Sequence, residues 1–182
     1  MATVIRQKDL IESVADALQF ISYYHPLDFI KALNEAYERE ANPAAKDAMA
    51  QILINSRMCA QGHRPICQDT GIVTVFIRVG MDVRWDGATM SVDDMINEGV
   101  RRAYNLPENV LRASILADPA GSRKNTKDNT PAVIHYSIVP GDKVERVVIG
   151  DVLERVGHAF NQIFLADDSA HDGLSSGKAF DS

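Results

Sequence analysis

Along the first third of the chain, apolar positions recur at three- and four-residue intervals. Leu10, Val14, Ala17, Leu18 and Ile21 share one face of a helix predicted from Lys8 to Tyr24, since residues three and four apart stack on the same side of an α-helix. His25-Pro26 ends it, because the residue before a proline is pushed out of the helical region. A second helix is predicted from about Leu27 to Glu40, with Phe29, Leu33, Ala36 and Tyr37 on one face. Asn42-Pro43 reads as a cap followed by proline at the first helical position, and Ala45, Met49, Ile52 and Leu53 mark a third helix. The period then changes. Ile72 to Val79 is β-branched or aromatic at nearly every position, which fits a buried strand closed by Gly80. Val83-Arg84-Trp85 reads as a short return strand with Asp86-Gly87 as its turn. Ser91-Val92-Asp93-Asp94 resembles a capping box with aspartate in the reciprocal place, opening a helix that turns Met95, Ile96, Val100 and Ala103 inward.

A polar stretch from Ala117 to Thr130 follows, long enough to be either functional or disordered. Ala132 to Val139, the Pro140-Gly141-Asp142 turn and Val144 to Ile149 read as a β-hairpin. From Asp151 to about Ala166 the period is helical again, and residues 167–182, small and polar, have too little to bury to hold structure. The predicted fold is α/β, with α+β as the variant: an N-terminal helical layer followed by a mixed sheet with helices.

With 182 residues, 46% of them hydrophobic and 24% charged, the chain suits one well-cored soluble domain. A net charge of −6 argues against a nucleic-acid surface, which depends on clustered Lys and Arg. The short basic group Arg123-Lys124 with Lys127 is flanked by Asp118 and Asp128. No apolar run approaches the roughly 20 residues needed to cross a bilayer, and the N-terminus lacks a signal-peptide core, so no membrane role and a cytoplasmic location are expected. Two cysteines, Cys59 and Cys67, are expected as reduced thiols rather than as a disulfide framework.

The candidate chemistry centres on Arg64-Pro65-Ile66-Cys67-Gln68-Asp69-Thr70-Gly71, where a thiol, an amide, a carboxylate and a hydroxyl stand in four consecutive positions before an apolar strand. A soft thiolate suits iron in an iron–sulfur cluster or zinc, while its neighbours supply hydrogen bonds to a polar ligand. A bland alternative stands beside it, with Cys67 as a small buried residue and Asp69 and Thr70 as turn caps. Cys59, His63 and Cys67 are a weaker zinc candidate, since Gly62 and Pro65 interrupt them and a fourth ligand is missing. A phosphate loop at Gly121-Ser122-Arg123-Lys124-Asn125-Thr126 lacks the glycine followed by Lys and Ser or Thr. Arg112 is a candidate carboxylate clamp, because a guanidinium forks onto a carboxylate.

Ile66-Cys67-Gln68-Asp69-Thr70-Gly71, Leu111-Arg112-Ala113-Ser114 and Asn125-Thr126-Lys127-Asp128-Asn129-Thr130-Pro131-Ala132 occur in an order and spacing that resemble the N-terminal domain of class I fumarate hydratase, a family that also includes tartrate dehydratase. The resemblance covers residues 1–149, followed by an unrelated helix over 150–166 and the tail. It implies reversible hydration of fumarate to malate, with a tartrate dehydratase-like hydro-lyase as the alternative. By the same resemblance Cys67 is one of three cysteines holding a 4Fe-4S cluster. Gln68 and Asp69 contact the substrate, Arg112 pairs with a substrate carboxylate, and Asp69 assists proton transfer. The implied partners are a small dicarboxylate, a C-terminal fumarase domain or subunit, and a second copy in a homodimer.

The departures are equally specific. No second or third cluster cysteine lies where the family places them, and Ile149-Gly150-Asp151-Val152-Leu153 stands where the family has a Lys-Gly-Gly-Gly-Ser run. The expectation is therefore a truncated member that cannot complete the cluster alone, or a catalytically silent interaction module that keeps the fold.

Overall fold

The computed structural model describes residues 3–67, 71–152 and 161–163. The elements in order are β1 (Val4–Arg6), α1 (Gln7–Tyr23), α2 (Leu27–Arg39), α3 (Pro43–Gly62), β2 (Ile72–Gly80), β3 (Arg84–Asp86), α4 (Val92–Tyr104), β4 (Val133–Val139), β5 (Val144–Val152) and β6 (Asn161–Ile163). The mixed α/β class follows directly from them.

Helix boundaries obey local chemistry. Asn42 caps α3 by accepting the amides of Ala44 at 3.0 Å and Ala45 at 3.4 Å, with Pro43 just inside; a side-chain oxygen there satisfies amides that have no helical partner. Ser91 caps α4 by accepting the Asp94 amide at 3.1 Å. The reciprocal contact differs from an ordinary capping box, since the Ser91 hydroxyl also donates to the Asp94 carboxylate at 2.7 Å.

The core forms between α1, α4 and one face of β2. Leu10, Val14 and Leu18 of α1 meet Met95, Ile96 and Val100 of α4 over Val73, Val75 and Ile77, all buried. Alternation along β2 sends these valines and Ile77 toward the helices and leaves Ile72, Phe76 and Arg78 exposed. Gly99 permits the close approach of α1 and α4: a Cβ there would lie 2.7 Å from Val14 Cβ and 2.8 Å from the Ile11 carbonyl.

The strand order of the main sheet is β4-β2-β5-β6, with β2 parallel to β4 and antiparallel to β5. The predicted hairpin is thereby corrected. β4 and β5 are consecutive, but β2 lies between them, and the turn that joins them crosses the end of β2. Gly80 donates its amide to the Lys143 carbonyl at 2.8 Å, Met81 to Val139 at 2.9 Å and Asp82 to Gly141 at 2.9 Å. A side chain at Gly80 would land on the Gly141 carbonyl. The hairpin expectation failed because turn chemistry specifies that the chain reverses, not which strand it pairs with afterwards.

Two further expectations change. Arg84–Asp86 does not return along β2 but pairs in parallel with β1, Ile5 opposite Trp85, in a separate two-stranded sheet. The helix expected from Asp151 is not formed where the residues are described: Asp151 and Val152 end β5, Val152 opposite Ile72, and Asn161–Ile163 is a strand antiparallel to β5. Pairing with a central strand outweighed a helical apolar period that also suits a strand. Residues 153–160 and the predicted unstructured tail at 167–182 lie outside the described residues. Among the described residues no helix is long and apolar enough to cross a membrane.

Candidate active site

The segment that leads to Cys67 is tied down on both sides. His63 closes α3 in the left-handed region (φ 46°), and its ring stacks on Tyr23 with centroids 4.7 Å apart. Arg64 donates its amide to the Cys59 carbonyl at 3.2 Å, and Ile66 donates to the Ser22 carbonyl at the end of α1 at 2.8 Å. Asn55 of α3 donates to the Ile66 carbonyl at 3.2 Å. Cys67 therefore leaves a fixed base, and its side chain is exposed.

Behind that base a buried polar group joins three elements. Gln19 donates to the carbonyls of Ala103 at 2.6 Å and Asn109 at 3.0 Å, and accepts from the Asn109 amide group at 2.8 Å. Both ends of Gln19 are satisfied, so the end of α1, the end of α4 and the chain just beyond it are held together. Leu111 then donates to the Tyr104 carbonyl at 3.2 Å and is itself buried. Arg112 follows immediately and is exposed. Its neighbour Ala113 accepts the Asn125 side-chain amide at 2.9 Å.

The three predicted motif runs meet at Gly71. Ser114 donates its hydroxyl to the Gly71 carbonyl at 3.2 Å, and Asn129 donates its side-chain amide to the same carbonyl at 3.1 Å. Gly71 lies four residues after Cys67 and Ser114 two after Arg112, so one junction joins the thiol-bearing segment to the guanidinium-bearing one. Gln68, Asp69 and Thr70, the predicted substrate and proton-transfer positions among them, lie outside the described residues.

Residues 117–130, expected as functional or disordered, form a closed and hydrogen-bonded excursion. Ala117 donates to Lys124 at 2.8 Å, Thr126 to Ile115 at 2.9 Å, and Leu116 bridges Asn125. Asp118 accepts the amides of Ser122 at 2.8 Å and Gly121 at 2.9 Å. Those two backbone bonds hold its carboxyl below the usual value and occupy amides that a phosphate loop would need. Asp128 accepts the hydroxyl of Thr130 at 2.8 Å and its amide at 3.1 Å, and pairs with Arg101 of α4 at 3.0 Å. Burial would raise the Asp128 pKa, but the Thr130 and Arg101 hydrogen bonds outweigh it and the net shift is downward.

The zinc candidate does not assemble. Cys59 is buried, its Sγ 3.6 Å from Asn55 Oδ1 and 3.7 Å from the Pro65 carbonyl, and burial pushes its thiol pKa up. Among the described residues no group of three His, Cys, Asp or Glu side chains could hold a metal ion. The two cysteines thus differ in kind, one enclosed and kept protonated, the other exposed at the end of the segment anchored through Ile66.

A family model described as fumarate hydratase (fumerase) matches residues 11–150. The chain belongs to the fumarate hydratase family. An L(+)-tartrate dehydratase subunit alpha of Methanocaldococcus jannaschii, provisionally so named, is 31% identical over 116 residues, 64% of this chain and 39% of the relative. The anaerobic class I fumarate hydratase of Escherichia coli K12 is 28% identical over 129 residues, 71% of this chain and 22% of the relative. An L(+)-tartrate dehydratase subunit alpha of E. coli UTI89 is 28% identical over 137 residues, 75% of this chain and 44% of the relative. The chain spans less than half the length of these family members.

Asn129 carries a role that the motif reading did not give it. The one sequence signal for it is its type: asparagine tolerates the left-handed backbone that it adopts here, φ 57°.

Proposed function

We propose that this chain contributes part of the active site of a hydro-lyase that adds water reversibly to a small unsaturated dicarboxylate, fumarate giving (S)-malate. The observation that carries the reading is the Gly71 junction, which ties the Arg112 run to the last residue of the run that begins at Cys67. Arg112 is assigned to one substrate carboxylate, since its neighbours are anchored and its planar guanidinium offers two parallel donors. Gln68 is assigned to hydrogen-bonding the substrate and Asp69 to accepting a proton, because an ionised carboxylate is an acceptor only.

The residues present fit one ligand of a 4Fe-4S cluster. Cys67 is exposed and carries the soft donor that cluster iron takes, whereas Cys59 is enclosed and kept protonated. When bound, such a cluster supplies a Lewis acid for a hydroxyl group. The sequence holds two cysteines, so the further cluster ligands are assigned to a partner segment or subunit, of the kind implied by relatives named as alpha subunits.

A tartrate dehydratase reading is the second choice, favoured by the names of two of the three relatives above. Substrate assays of one preparation separate the two. The chain is reconstituted anaerobically with iron and sulfide, alone and with a polypeptide covering the unmatched part of the relatives. Dehydration of malate and of L(+)-tartrate is then followed. Turnover of malate above tartrate in the pair supports the fumarate reading, and the reverse order supports the second. A cluster-bearing pair that turns over neither overturns both and leaves the interaction-module reading.

A further inference from the structure

Asn129 reaches both halves of the candidate site with one side chain. It is fully buried, 0% exposed. Its Oδ1 accepts the amides of Ser114 at 2.7 Å and Ile115 at 3.2 Å, while its Nδ2 donates to the Gly71 carbonyl at 3.1 Å. A planar amide used at both ends, away from water, fixes the separation of the groups it joins, because an unmet donor or acceptor there carries a desolvation cost. The residues around it hold the amide in place. Asp128 is pinned by Arg101 and Thr130, and Asn125 holds Ala113.

We infer that Asn129 is the positioning residue that holds the Arg112 segment to Gly71, the last residue of the run that begins at Cys67. The inference rests on the proposal that the two runs serve one site. Ser114 adds a weaker second tie, since its hydroxyl bonds the same Gly71 carbonyl from the exposed side. Aspartate at 129 would separate the two ends of the bridge. It tolerates a left-handed backbone and keeps an acceptor for Ser114 and Ile115, but sets a carboxylate oxygen against the Gly71 carbonyl.

The test uses the 182-residue chain and amide hydrogen exchange resolved by residue. Asn129→Asp is expected to speed exchange at Ile72, whose amide shares the peptide unit of the Gly71 carbonyl, about two- to tenfold, the factor that one hydrogen bond sets on a local opening equilibrium. Protection at Ser114 and Ile115 is retained. Val100→Ala, a cavity in the buried face of α4, serves as the control for general destabilisation and leaves Ile72 at the rate its loss of stability alone would give. Equal acceleration in the control, or none in Asn129→Asp, overturns the bridge. If Asn129→Asp fails to fold, Asn129→Gly, which keeps the left-handed backbone and removes the amide, decides: faster exchange at Ile72 supports the inference and an unchanged rate overturns it.

A second arm measures kcat/KM in the reconstituted pair. Asn129→Asp is expected to lower it roughly ten- to hundredfold, the scale of a misplaced catalytic group, and an unchanged value in a pair whose wild type is active overturns the positioning role. An inactive wild-type pair counts against the proposed function alone, because the exchange arm reads the bridge without turnover.

Discussion

At the residue scale, the chemistry divides along exposure. The motif run singled out Cys67, and packing adds a second distinction: Asn55 and Pro65 close over Cys59, whereas Cys67 projects from a segment anchored at Ile66. Cys67→Ser is expected to abolish cluster uptake in the reconstituted pair while leaving the thermal transition within about 0.5 kcal/mol, the usual effect of an exposed substitution. Iron content beside calorimetry checks both halves. Arg112→Met is expected to raise KM for malate by about ten- to a hundredfold, the worth of hydrogen bonds to a charged group, with steady-state kinetics as the measurement. The motif runs around these residues were legible because chemistry-bearing side chains stood consecutively. Asn129 was not, since its partners at Gly71 and Ser114 are 58 and 15 residues away.

At the scale of elements, local signals were legible and pairings were not. Capping by Asn42 and Ser91 set the starts of α3 and α4 as expected. The partner of a strand is decided by tertiary contact, and so β4 and β5 flank β2 instead of pairing with each other. The α1–α4 contact gives a sharp test. Gly99→Ala is expected to destabilise by ~1–3 kcal/mol, because the added methyl meets Ile11 backbone that cannot yield as a flexible side chain would. Denaturant unfolding measures it, and an unchanged midpoint would contradict the packing.

Acid stability belongs to the same scale, because it reports the tie between α4 and the 117–130 excursion. Hydrogen bonding from Arg102 leads the causes that hold Glu98 below its ordinary 4.5, burial opposing it and Arg101 adding to the lowering. Asp128 lies below its ordinary 3.8, with the Thr130 and Arg101 bonds outweighing burial. Carboxyls depressed in the folded state contribute stability that is present above their unfolded values and is lost as pH falls through the folded ones. Unfolding free energy is therefore expected to hold above pH 4.5 and to decline below 3.8 as both groups protonate. Arg101→Met should flatten that decline, and a pH series of denaturant midpoints would detect it.

At the scale of the whole molecule, the apolar surface is unevenly covered. α2 buries none of its residues, α3 buries Ser56 and Cys59, and Leu27, Ile52, Ile54 and Met58 are exposed. The helical patterns were legible, but what the apolar stripes of α2 and α3 face was not. The periodicity of a helix tells which face is apolar and not what it faces. A chain spanning 39% and 44% of two relatives' lengths holds part of what those proteins hold. The most direct test of the account is fumarate hydration by the anaerobically reconstituted chain, alone and combined with a polypeptide covering the unmatched part of its relatives. The account predicts turnover in the combination, its loss with Cys67→Ser, and none from the chain alone. Turnover by the chain alone, or an active combination indifferent to Cys67→Ser, would contradict it.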